Sequence, residues 1–206
     1  MTIQGLIFDY GGVLLDMRFE FTRELERRHG LRERALAETL YTTETWRKLE
    51  VGVGDREVWL QEAHSLLESE AGRPLPPLHV EWRNEQRLID ENIALIERLR
   101  PPYRTAVLSN ADNTLMHRIC NVHRIDHLFD DIICSADVGM AKPDRRIYQL
   151  AAERLGLPPS ACVFIDDAER NVEAARDAGM HALHFRIELG HSLAAQLAEL
   201  GVRPPE

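Results

Sequence analysis

The chain has 206 residues, 44% hydrophobic and 29% charged, enough to bury a sizeable core and too apolar for a largely disordered polymer. A net charge of −9 argues against a nucleic-acid surface, which needs clustered Lys and Arg; the densest basic stretch, Arg23 to Arg34, is interleaved with Glu24, Glu26 and Glu33. Three scattered cysteines (Cys120, Cys134, Cys162) form no C-x-x-C pair, and no run reaches the roughly 18 apolar residues of a membrane span, so a cytoplasmic protein with reduced, buried cysteines is expected.

The chain opens on an apolar run, Ile3 to Phe8, that reads as a buried strand ending at Asp9 and followed by Gly11-Gly12, where the backbone can turn tightly. A long helical stretch follows, with no strand expected before residue 104. Helices are predicted at Arg18–His29, Arg32–Tyr41 and Thr43–Glu50, then from an Asp55 N-cap to about Glu70, around Trp82, and at Asp90–Arg100. Residues 16–90 thus form an all-helical module, set into a core made of residues 1–15 and 91–206. From Arg104 short strands alternate with helices. The strands are Thr105–Leu108, Asp131–Cys134, Ala161–Ile165 and His181–Phe185, and the helices are about Asn113–Val122, Asp144–Leu155, Glu169–Ala178 and Ser192–Leu200. Such alternation predicts an α/β fold, a parallel sheet covered on both faces.

Three strands finish in polar residues, at Asp9, Ser109-Asn110 and Asp166-Asp167, and in a parallel sheet these ends share one edge. Pro143 disfavours helix at Lys142, leaving that lysine on a loop just ahead of a helix. Three carboxylates at one edge repel each other and call for a cation, for which aspartates favour Mg²⁺. A nucleophilic Asp with Mg²⁺ and Lys makes a phosphoryl-transfer site.

The chain here resembles the haloacid dehalogenase-like hydrolases. Phe8-Asp9-Tyr10-Gly11-Gly12-Val13 is similar to the first motif of that family, Leu108-Ser109-Asn110 to the second and Lys142-Pro143 to the third. Val163-Phe164-Ile165-Asp166-Asp167, with Asn171-Val172 and Ala174-Ala175, is similar to the fourth. The resemblance implies a three-layer, Rossmann-like α/β core with an inserted all-α cap. It also implies a small phosphorylated substrate and an aspartyl intermediate on Asp9. Ser109, Asn110 and Lys142 would hold the phosphoryl oxygens, and Asp9, Asp166, Asp167 and the Gly11 carbonyl would hold Mg²⁺.

One position departs from the pattern. Phosphatases of the family usually carry a second aspartate, the general acid–base, where this chain has Gly11; such a group is worth about 10²–10⁴ in rate. Three readings stay open: a phosphatase of substrates with good leaving groups, a metal-independent 2-haloacid dehalogenase, and a non-catalytic phosphate-ligand binder. Asp16 reads as a hinge or N-cap, and Trp46, Arg47 and Lys48 as an exposed helix with a possible lid role. His117, His123 and His127 read as surface or core residues, and His181 and His184 as packing.

Overall fold

The computed structural model describes residues 2–205. The opening run forms β1 (Gly5–Phe8), with all four residues buried. A two-residue strand, β2 (Leu15–Asp16), pairs antiparallel with β3 (Arg87–Leu88). The remaining strands are β4 (Arg104–Ser109), β5 (Asp131–Cys134), β6 (Cys162–Asp166) and β7 (His181–His184). They join β1 in a parallel five-stranded sheet of order β5-β4-β1-β6-β7, so the first strand in sequence is the middle one in space.

Side chains alternate across a strand, and here both faces are apolar. Leu6 and Phe8 join Val107, Val163 and Ile165 in one buried cluster, while Ile7 joins Ala106, Leu108 and Phe164 in another. The first face is covered by helices Asp90–Leu99 and Leu193–Glu199, which contribute Ile96, Leu99 and Leu197. The second is covered by helices Arg145–Arg154 and Glu169–Asp177, through Ile147, Ala151 and Val172. The result is the expected three-layer α/β core.

Between β2 and β3 lie five helices: Phe19–His29, Ala35–Tyr41, Glu44–Leu49, Arg56–Ala71 and Leu78–Glu85. They bury a separate cluster built on Leu25, Leu36, Leu40, Trp46, Trp59 and Trp82. Asp55 caps the longest of them, its Oδ1 accepting from the Glu57 and Val58 amides at 2.7 and 3.1 Å. The chain enters this insertion through β2 and leaves through β3. That ribbon corrects the expectation of no strand before residue 104, because two-residue strands are too short for a period-2 pattern to register.

Two other readings change. The helix expected at about 113–122 is a single turn, Leu115–His117, that widens into a π-helical stretch, Arg118–His123. His181 is exposed rather than packed. Cys134 and Cys162 are buried and Cys120 half-buried, all as free thiols. Among the described residues no helix is long and apolar enough to cross a membrane.

Candidate active site

The sheet register assembles the site. Phe8 pairs with Ile165 across β1 and β6, so the next residue, Asp9, falls beside Asp166, and the Asp9 amide donates to the Ile165 carbonyl at 2.8 Å. Lys142 reaches between the two carboxylates, its Nζ 3.0 Å from Asp9 Oδ1 and 2.6 Å from Asp166 Oδ2. A third bond, to the Leu108 carbonyl at 3.1 Å, completes the ammonium's shell. Burial opposes the charge on Lys142, but Asp166 and Asp9 outweigh it and hold the ammonium above the ordinary lysine range. The Asn110 side chain fixes the loop that carries Lys142, accepting from the Lys142 amide at 2.8 Å and donating to its carbonyl at 2.9 Å.

Asp166 is saturated by protein donors: beyond Lys142 it accepts from Asn171 Nδ2 at 3.1 Å and from the Ala168 amide at 2.8 Å. Asp9 Oδ1 accepts from the Tyr10 amide at 2.7 Å as well as from Lys142. Asp167 is held differently, through its backbone, whose carbonyl lies 2.9 Å from His184 Nε2. One oxygen each of Asp9, Asp166 and Asp167 lies within 4.8 Å of the others. Burial pushes the Asp9 carboxyl up to about 6, with Lys142 pulling the other way. Burial, then the charges of Asp9 and Asp166, pushes Asp167 up to about 8. Three hard carboxylate oxygens this close together fit a divalent cation such as Mg²⁺, and Gly11 lines the same cavity as Asp9 and Asp167.

The shape of the first loop serves the same group. Gly12 has φ +77°, and a Cβ there would stand 2.5 Å from Asp167 Oδ2, so only glycine leaves room for that carboxylate.

A pH dependence follows. A carboxyl whose folded pKa is raised costs stability progressively as pH climbs from its unfolded value, near 4, to its folded value. For Asp167 that window ends at about 8, and for Asp9 at about 6. A cation that binds the ionised forms recovers this loss. Added Mg²⁺ should therefore raise Tm more at pH 8 than at pH 5, read by differential scanning fluorimetry; an equal shift at both would count against the cation site.

The family pattern described as haloacid dehalogenase-like hydrolase matches residues 3–179. The chain belongs to that family. Among the relatives of this hydrolase is the sesquiterpene phosphatase astK of Aspergillus oryzae, 27% identical over 91% of this chain and 92% of the relative. The fructose-1-phosphate phosphatase YqaB of Escherichia coli is 26% identical over 89% of this chain and 96% of its own. In fold, the hydrolase is similar to a family enzyme from Bacteroides thetaiotaomicron solved with magnesium and inorganic phosphate. That match has a TM-score of 0.66 at 21% identity and covers 94% of this chain and 98% of the other.

Above the carboxylates the hydrolase encloses a cavity of about 340 Å³ between core and insertion, lined by Asp9, Gly11, Ser109, Asn110, Lys142 and Asp167 on the core side. All seven residues expected at the site are thus at one sheet edge. At Gly11 a Cβ would meet Met17 Sδ at 3.3 Å, so a thioether stands where the family's usual acid–base side chain would begin.

The insertion closes on the core through contacts that sequence alone did not reveal. Glu50 accepts from Asn110 Nδ2 at 3.0 Å, and Arg56 Nε pairs with the buried Asp112 at 3.1 Å. Burial raises the Glu50 pKa. At Gly52 (φ +79°) a Cβ would stand 2.3 Å from the Ala136 carbonyl oxygen, so glycine permits this approach. Trp46 lines the cavity, whereas Arg47 and Lys48 are exposed beside Glu44. Asp16 accepts from the Arg18 amide at 2.7 Å, and the N-cap position of the following helix is Arg18 itself. His123 packs near the Tyr10 ring, with centroids 6.1 Å apart.

Proposed function

We propose that this hydrolase is a Mg²⁺-dependent phosphatase of a small phosphorylated metabolite, working through an aspartyl-phosphate on Asp9. The observation that carries the reading is the buried set in which Lys142 clamps Asp9 against Asp166 while Asp167 is held beside them. Asp9, Asp167 and the Gly11 carbonyl would hold the cation, with Asp166 beside them. Bound there, Mg²⁺ supplies positive charge to the transferring phosphoryl group. Asp9 attacks phosphorus and the bond to the leaving oxygen breaks; water then attacks the aspartyl-phosphate, releasing inorganic phosphate and restoring Asp9. Lys142 keeps Asp9 ionised and offsets charge on the phosphoryl oxygens, which the Ser109 hydroxyl and the amides around Asn110 also receive. Residues 16–90 act as a cap that moves on the β2–β3 ribbon and closes the cavity.

Gly11 leaves the leaving oxygen without a proton donor on the first loop, so the substrate is one whose leaving group departs unaided, such as an aryl, acyl or sugar 1-phosphate. The phosphatase names of the two relatives support phosphorus over carbon as the atom attacked. So does the carboxylate trio, since a dehalogenase has no use for a cation.

Hydrolysis of p-nitrophenyl phosphate should need Mg²⁺ and stop with EDTA. Its kcat should exceed that of a simple alkyl phosphate by about 10²-fold or more, the worth of the missing acid. Metal-independent halide release from 2-chloropropionate would revive the dehalogenase. Equal turnover of alkyl and aryl esters would remove the leaving-group preference.

A further inference from the structure

In-line displacement puts the water that hydrolyses the aspartyl-phosphate on the face of phosphorus opposite Asp9, where the leaving group stood. Water is a weak nucleophile, and a base beside it is worth about 10²–10⁴ in rate. Gly11 offers no such base on the first loop. A leaving group that departs unaided removes the need for an acid in the first step. It does nothing for the second, because the aspartyl-phosphate is the same whatever substrate formed it.

The cavity between core and insertion holds few groups that could take the proton. Among the described residues no histidine or cysteine lines it. Tyr10 and Tyr41 do, but burial pushes both phenols up and keeps them protonated. Asp9 and Asp167 belong to the carboxylate trio. Asp112 is committed to Arg56 at 3.1 Å and to the Thr114 amide at 3.0 Å. Glu50 remains. It is half-buried, it lines the cavity, and no lysine, arginine or histidine among the described residues forms an ion pair with it.

Glu50 is also held in place. Its Oε2 accepts from Asn110 Nδ2 at 3.0 Å, and the Asn110 side chain is oriented by two bonds to the Lys142 backbone, at 2.8 and 2.9 Å. Asn110 directly follows Ser109, so this contact brings a carboxylate of the insertion to the edge of the phosphoryl site. Burial raises the Glu50 pKa against the pull of Arg170 and Asn110, which makes it a stronger base than an exposed carboxylate.

We infer that Glu50 is the general base of the second half-reaction, taking a proton from the water that attacks the aspartyl-phosphate. The inference rests on the phosphatase reading and deepens it. As the water oxygen bonds to phosphorus, its proton passes to the Glu50 carboxylate. The bond from phosphorus to Asp9 breaks, and its electron pair returns to the Asp9 carboxylate. Inorganic phosphate leaves, and Glu50 gives the proton to solvent before the next substrate. A carboxylate has no proton to lend in the first step, so the preference for good leaving groups stands.

Glu50→Gln tests the assignment, since its amide oxygen can still accept from Asn110 but cannot take the proton. p-Nitrophenyl phosphate is mixed with the Mg²⁺-loaded enzyme in stopped flow, and acid-quenched samples are assayed for phosphoryl group retained on the chain. In the variant kcat should fall by about 10²-fold or more, after a burst of about one p-nitrophenolate per site. Phosphoenzyme should accumulate, and kcat/KM should hold, because that ratio reports only the steps up to the first irreversible one. The lowered kcat should be the same for aryl and acyl phosphates, whose second step is shared. A contact that only docks the cap would leave the variant's kcat close to the parent's, because the bond to Asn110 survives; that result overturns the proposal. A joint loss of kcat and kcat/KM without phosphoenzyme also overturns it. A parent enzyme that releases no p-nitrophenolate with Mg²⁺ would sink the phosphatase reading itself, so the two failures are distinguishable.

Discussion

Asp9→Asn should lower kcat for p-nitrophenyl phosphate by about 10⁴–10⁶-fold, as expected when a covalent nucleophile is removed. The fold should survive. An Asn Oδ1 can still accept from the Tyr10 amide at 2.7 Å and from Lys142 at 3.0 Å, so no donor is orphaned. The stability change should have a definite sign with pH. Burial holds the folded Asp9 pKa at about 6, so ionised Asp9 costs the folded state stability as pH climbs from near 4 to 6. Asn has no such cost. In EDTA, the Tm of the variant should therefore match the parent near pH 4 and equal or exceed it at pH 8. Retained activity within tenfold of the parent would dismiss Asp9 as nucleophile; a collapse in Tm at every pH would make its role structural.

The expectation about Asp9 was available from the sequence because the sheet is simple. Each buried strand is an apolar run that ends abruptly in a polar residue, and parallel topology brings those ends together without further information. Lys142 was legible for a local reason, the following Pro143. Asn171 lay inside the fourth motif, yet its bonds to both Asp166 oxygens depend on a helix turn that spacing alone does not fix. His184 was read as packing, and its contact with the Asp167 carbonyl comes from the β6–β7 register.

The cap side was much less legible. Arg83 and Arg118 look like ordinary charged residues of surface helices, and their half-buried places at the cavity follow only from how the insertion folds back on the core. The pairs Glu50–Asn110 and Arg56–Asp112 join residues 60 and 56 positions apart, with no periodicity to announce them. The aromatic cluster had the same fate: Trp46, Trp59 and Trp82 sit on three different helices, and Trp46, read from the sequence as part of an exposed helix, is buried with the other two.

Lys142→Met should have the largest effect on the folded state. Lys142 and Asp166 are both essentially inaccessible to water, and among the described residues the lysine is the one cation touching that carboxylate. Methionine matches the length of the stem but leaves Asp166 buried with amide donors alone, beside a second carboxylate at Asp9. Removing one partner of such a pair typically costs about 3–5 kcal/mol, which in a chain of this size lowers Tm by roughly 10 °C or more. The loss should be larger at pH 8 than at pH 5. Lys142 holds the folded Asp9 pKa down, so its removal raises that pKa further above the unfolded value, and the added cost is present only where Asp9 is ionised. Activity should fall by about 10²–10³-fold even at temperatures where circular dichroism shows the variant folded, because the charge aimed at the phosphoryl oxygens is gone. A Tm loss that does not vary with pH would mean that the lysine stem, rather than its charge, supports the site. An unchanged Tm with lost activity would mean that Asp166 is satisfied by Asn171 and Ala168, leaving Lys142 to serve the reaction alone.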